Sequence, residues 1–133
     1  MDIYLDIDGV ILTKDHTQPF FLKEFLTWLL AHHTVYWLST HCKGDTTHLM
    51  AYLSQFLDAE IFNLVKSIRP TNWERFKTDA IDFSSKFVWL DDYIFEKEKE
   101  VLRKENALTS WIPMDLKHNP KQLKEVYDVL RGR

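Results

Sequence analysis

The stretch that most constrains the fold is Ile3-Tyr4-Leu5-Asp6-Ile7-Asp8-Gly9-Val10. It is a short apolar run ending in two carboxylates separated by one residue, then a glycine. Apolar runs of this length bounded by turn signals read as strands buried in a parallel sheet. Charge is expensive at the tip of such a strand. Two crowded carboxylates repel each other, and a bound cation relieves the repulsion. This end of the strand therefore reads as a metal site facing a crevice.

The remaining chain repeats the pattern. Pro19 opens a helix in which Phe21, Phe25, Trp28 and Leu29 recur at helical spacing, widened by Leu22, Leu26 and Leu30. Thr34 to Leu38 is a second apolar run with Ser39-Thr40 at its tip, and Asp45 caps a helix bearing Leu49, Leu53 and Phe56. Ile61 to Val65 reads as a third, weaker strand, and Thr71 to Ile81 as a mixed segment with a short helix holding Trp73 and Lys77. Lys86 to Leu90 is the fourth strand and ends in Asp91-Asp92. A charged helix, Glu96 to Glu105, is expected to be solvated. Thr109 to Ile112 forms a fifth strand, and Asn119-Pro120 starts a last helix with Leu123, Val126, Tyr127 and Leu130 on one face. Strands alternating with helices predict a mostly parallel five-stranded sheet covered on both faces, a doubly wound three-layer α/β/α sandwich over residues 1–133.

Composition bounds the function. Hydrophobic residues make up 45% of the 133 residues, ample for one packed domain. The formal net charge of −3 gives no global basic field, so nucleic-acid binding is not supported. Cys42 is the single cysteine, which excludes an internal disulfide and fits a reducing compartment. The apolar stretch Pro19 to Ala31 is interrupted by Lys23 and Glu24 and is too short to span a bilayer. With the first strand starting almost at Met1, a soluble cytoplasmic protein is expected.

Three strand tips thus carry polar groups: Asp6 with Asp8, Ser39 with Thr40, and Asp91 with Asp92. In an open parallel sheet, ligands bind outside the carboxyl ends of the strands, so the topology gathers these groups at one edge. Carboxylates from two strands suit a hard, oxygen-seeking ion such as Mg²⁺, and hydroxyl and ammonium groups beside it suit a phosphate.

Here the chain resembles the haloacid dehalogenase superfamily of aspartate-nucleophile phosphatases. Leu5-Asp6-Ile7-Asp8-Gly9-Val10 is similar to the first family motif, Trp37-Leu38-Ser39-Thr40 to the second, Lys77-Thr78-Asp79-Ala80-Ile81 to the third and Trp89-Leu90-Asp91-Asp92 to the fourth. The four stand in family order and span nearly the whole chain. The resemblance implies Asp6 as nucleophile through an aspartyl-phosphate, and Asp8 as proton donor and later base. It implies Mg²⁺ held by Asp6, Asp8 through its backbone carbonyl, and Asp91, with Asp92 behind or beside Asp91. Ser39, preferred over Thr40, and Lys77 would bind the phosphoryl oxygens, with Lys66 and Arg69 as competitors for the lysine role. Only about ten residues follow Gly9 before the helix, too few for the cap domain that members of the family often insert there. An uncapped site admits a large phosphorylated substrate.

Other readings compete. Ser39 and Thr40 can simply satisfy strand-end amides. His41, Cys42 and His48 lack the fourth ligand that tetrahedral zinc needs. The His41 to Lys43 loop would line the rim, and Trp73 could stack on a substrate ring. Two further functions stand beside phosphatase: a non-catalytic phosphate- or Mg²⁺-binding module recognising a phosphorylated partner, and a nucleic-acid end-processing phosphatase, which no basic stripe supports.

Overall fold

The computed structural model describes residues 1–132. Strand β1 (Asp2–Leu5) leads to α1 (Leu22–His32), β2 (Thr34–Trp37), α2 (Thr47–Leu53), α3 (Ala59–Val65), β3 (Phe87–Asp91), α4 (Glu96–Lys104), β4 (Trp111–Pro113) and α5 (Gln122–Arg131). Short 3₁₀ turns cover Lys77–Ala80 and Leu108–Ser110. The sheet has four strands among the described residues, in the order β2-β1-β3-β4, and every pairing is parallel.

Pleating divides the strand residues between two cores. Ile3 and Leu5, Val35 and Trp37, and Val88 and Leu90 point to one face, where buried residues of α1, α2, α3 and α5 meet them. Tyr4, Phe87 and Trp89 point to the other, against Leu102 of α4, Ile81, Ile94 and Ala107. The alternation explains why these strands are apolar throughout: both faces are covered. This α/β arrangement is compatible with a Rossmann-like sandwich. Among the described residues no helix is long and apolar enough to cross a membrane.

The expected five strands are corrected to four. Ile61 to Val65 is part of α3, not a strand. A five-residue apolar run is ambiguous between the two states, and two local features decide for the helix. Asp58 sits at the N-cap and its Oδ1 accepts from the Ile61 amide at 2.9 Å. The buried residues Ile61 and Val65 then fall on one helical face. In place of the missing strand, the backbone at Arg69 forms a single parallel bridge outside β2: its amide donates to Val35 O at 2.9 Å and its carbonyl accepts from the Trp37 amide at 2.8 Å.

Two helix starts also move. Helix α1 begins at Leu22, whose amide donates to Pro19 O, so the proline lies in the preceding turn. Asp45 accepts from the Thr47 amide at 2.9 Å, one residue outside the N-cap of α2. The segment between Gly9 and α1 holds no helix or strand of its own. It is tied to α3 by Gln18, which accepts from the Asp58 amide and donates to the Asp58 carboxylate.

Candidate functional site

The sheet order puts β1 at the centre with its end between those of β2 and β3. Backbone hydrogen bonds lock that end to both neighbours: the Leu38 amide donates to Leu5 O at 2.8 Å and the Asp6 amide to Leu90 O at 3.1 Å. Asp6 is therefore placed beside Asp91, the last residue of β3, although 85 positions separate them in the chain. Gly9 completes the turn after Asp8 at φ +89°, a conformation that disfavours any side chain. A Cβ there would also meet the Asp92 carboxyl at 2.9 Å. Gly9 is thus required twice, by the turn and by the close approach of Asp92.

These tips open onto a cavity of about 300 Å³ whose wall includes Asp6, Asp8, Thr40, Lys77, Asp91 and Asp92. A larger groove of about 710 Å³ shares Lys14 and Asp92 with it. Oxygens of Asp6, Asp91 and Asp92 lie within 4.8 Å of one another. Among the described residues this is the group of acidic, histidine or cysteine side chains that can hold a metal ion. The donors are all carboxylate oxygens, which suits a hard cation such as Mg²⁺. Lys77 Nζ stands 2.6 Å from Asp91 Oδ2 and 3.5 Å from Asp6 Oδ1, so one ammonium serves two buried carboxylates.

The electrostatics follow from that shortage of positive charge. Burial raises the pKa of Asp91 well above the ordinary carboxylate range, the charge of Asp6 pushes it further, and Lys77 offsets only part. Asp6 is raised for the same first reason, burial, with Lys77 pulling it back. Burial alone would lower the pKa of Lys77, but the attraction of Asp6 and Asp91 outweighs it, and the ammonium form is strengthened. A bound divalent cation would stabilise both carboxylates in their ionised form.

Lys77 is itself anchored from α4. The carboxylate of Glu98 accepts from the Lys77 amide and from the Phe95 amide, each at 2.8 Å. Glu98 is 2% exposed. The expectation that the whole Glu96 to Glu105 face is solvated is thereby corrected. Glu98 supplies half of a capping box by accepting from the N-cap amide, but Phe95 has no side-chain acceptor to supply the other half, so the usual Ser/Thr-x-x-Glu signature is missing from the sequence.

Each expected site residue has a definite place. Asp8 lines the cavity, but its carboxylate lies outside the three-aspartate group and faces Tyr52 and His41. Thr40 is on the cavity wall; Ser39 lies fully buried beneath it, its hydroxyl accepting from the His41 amide at 3.1 Å. Of the competing bases, Lys77 reaches the cavity. Lys66 lies over the Phe62 ring, and the backbone of Arg69 pairs with β2. Lys43 sits over the ring of Trp73, 4.2 Å from its centre, and Trp73 forms part of the cavity wall. Cys42 is buried, with Sγ directed at the Asp45 and Thr71 carbonyls, and burial raises its thiol pKa.

Compared with protein-family models, with curated proteins and with solved structures, the chain matches none. What it can do chemically is therefore argued from these side chains.

Proposed function

We propose that this protein is a Mg²⁺-dependent phosphomonoester phosphatase working through an aspartyl-phosphate on Asp6, on a capless, doubly wound fold of the haloacid dehalogenase type. The observation that carries the reading is the grouping of Asp6, Asp91 and Lys77, with Asp8 on the wall of the same cavity. A carboxylate beside an ammonium and further acids is the composition needed to attack a phosphate and stabilise its charge.

In the first step an Asp6 carboxylate oxygen attacks phosphorus and the bond to the ester oxygen breaks. Asp8 gives its proton to that departing oxygen. In the second, the Asp8 carboxylate takes a proton from water, the water oxygen attacks phosphorus, and the bond to Asp6 breaks to release inorganic phosphate. Lys77 and the Thr40 hydroxyl would bind the phosphoryl oxygens, with buried Ser39 holding the turn that presents Thr40. Asp6, Asp91 and Asp92 would hold Mg²⁺, which when bound supplies positive charge against the phosphoryl oxygens. With no helix or strand between Gly9 and α1, the site is suited to large phosphorylated substrates as well as small ones.

The test is hydrolysis of p-nitrophenyl phosphate with Mg²⁺. Asp6→Asn is expected to lower turnover by about 10³-fold or more. Equal activity in the two proteins removes Asp6 from its role. Beryllofluoride, a mimic of phosphate on aspartate, separates catalysis from mere recognition: with Mg²⁺ it should be retained by the wild type and not by Asp6→Asn.

A further inference from the structure

Asp8 is set apart from the other three aspartates by what surrounds it. Its side chain is 35% exposed, against 13% for Asp6 and 1% for Asp91. A half-exposed carboxylate on a glycine turn would ordinarily sample several rotamers. Here both of its oxygens are engaged. The Tyr52 hydroxyl, from α2, donates to Oδ1 at 2.8 Å. His41 Nε2, from the turn after β2, lies 3.2 Å from Oδ2.

The two partners also support each other. The His41 and Tyr52 rings stack with centres 4.3 Å apart and planes 14° from parallel. Tyr52 is braced behind by the edge of Phe56 at 5.3 Å, and Phe56 stacks on His16 at 4.9 Å. His48 stacks on the outer side of His41 at 6.0 Å. The His41 backbone is pinned by its amide donating to Ser39 Oγ. A chain of rings from three parts of the sequence, the segment after Gly9, the turn after β2 and α2 with its following turn, thus converges on one carboxylate.

From this geometry we infer that Tyr52 and His41 are positioning residues for the proton transfer by Asp8, and that the transferred proton rides on Oδ2. Tyr52 occupies Oδ1. As a phenol it offers one O–H, and that O–H is committed to Oδ1. Oδ2 is left as the oxygen that exchanges its proton. A carboxylate oxygen has two lone pairs, so His41 Nε2–H can donate to one of them while the other, facing the cavity, carries the exchanging proton. Both rings bond Asp8, which lies outside the three-aspartate group, so the pair would act on the proton and not on the metal or the nucleophile.

The inference rests on the phosphatase reading, and on Asp8 as its acid. A proton is needed when an alkoxide leaves and hardly at all when p-nitrophenolate leaves. The measurement is therefore the ratio of kcat/KM for glycerol 2-phosphate to that for p-nitrophenyl phosphate. This ratio is independent of how much of a preparation is folded. Tyr52→Phe and His41→Ala are each expected to lower it about tenfold, a fraction of what an acid contributes in total. His41→Gln, which returns an amide near the Nε2 position, should recover part of it. A ratio unchanged in both Tyr52→Phe and His41→Ala overturns the inference and leaves the phosphatase reading standing. Hydrolysis of p-nitrophenyl phosphate that Asp6→Asn does not affect overturns the phosphatase reading, and this inference with it.

Discussion

The two acidic strand ends, Asp6 with Asp8 and Asp91 with Asp92, look alike in sequence and share one division of labour in space. One member of each pair, Asp6 or Asp91, is buried against Lys77. The other is turned toward the rim and has a partner of its own: Tyr52 and His41 for Asp8, Lys14 for Asp92. The inner members are coupled unequally: the charge of Asp6 raises the cost of ionising Asp91, while a hydrogen bond from Asp91 eases the ionisation of Asp6. The outer members have separate partners: Tyr52 of α2 and His41 of the turn after β2 hold Asp8, and Lys14 pairs with Asp92. An acidic pair at a strand end is thus two sites: an inner one in which charge is scarce and an outer one in which orientation is controlled.

Breaking the inner half should have the largest effect. Lys77→Met leaves Asp6 and Asp91 buried without their cation, and loss of one partner from a buried ionic group typically costs about 3–5 kcal/mol. Thermal unfolding without Mg²⁺ should show that loss, and millimolar Mg²⁺ should recover part of it if the inner pair is the metal site. A variant as stable as the wild type would mean that the inner acids are not charged together.

The coupling also predicts a pH dependence. The folded pKa of Asp91 is raised, so the folded state binds more protons than the unfolded state above the ordinary aspartate pKa of about 4. The associated stability is fully present below that pH and is lost as pH rises through the folded value. The slope for one proton is at most about 1.4 kcal/mol per pH unit. In denaturant titrations, metal-free protein should weaken across this window, and Mg²⁺ should flatten the decline. Stability that rises with pH over the same range, in protein carrying Asp91→Asn as well as in the wild type, would contradict the assignment.

The outer half should be nearly silent in stability. Lys14 pairs with Asp92 but its side chain is 63% exposed, so water screens the interaction. Lys14→Ala should shift unfolding by less than about 1 kcal/mol. Its effect should appear instead in Mg²⁺ affinity, read by calorimetry, because Asp92 is released for the metal. A large stability loss would erase the distinction between inner and outer acids.

Much of the site is legible in the chain because its residues end apolar runs. Asp6, Asp8, Asp91 and Thr40 stand where a strand stops, and a parallel sheet brings such ends together whatever their separation. Lys77 is named by its place before the β3 strand, yet nothing local separates it from Lys66 or Arg69; the reach of its side chain does. Glu98 is hidden among the charges of its helix, because the N-cap before it is Phe95 and not the Ser or Thr that marks a capping box. Tyr52 and His41 carry none, since an aromatic in α2 and a histidine in a turn are ordinary until something stands opposite them. Ile61 to Val65 was ambiguous because a short apolar run satisfies both periods, and the Asp58 cap that resolves it lies just outside the run.

By itself the sequence determined the alternation of buried strands with amphipathic helices, and hence the edge at which the acids collect, because burial and periodicity are properties of the local chain. Only the tertiary structure decided that the sheet stops at four strands, that one lysine serves two acids, and that Asp8 faces an aromatic pair while its neighbours face one another. Those outcomes depend on distances between side chains far apart in the chain, and such distances are fixed only when the sheet and its helices have packed.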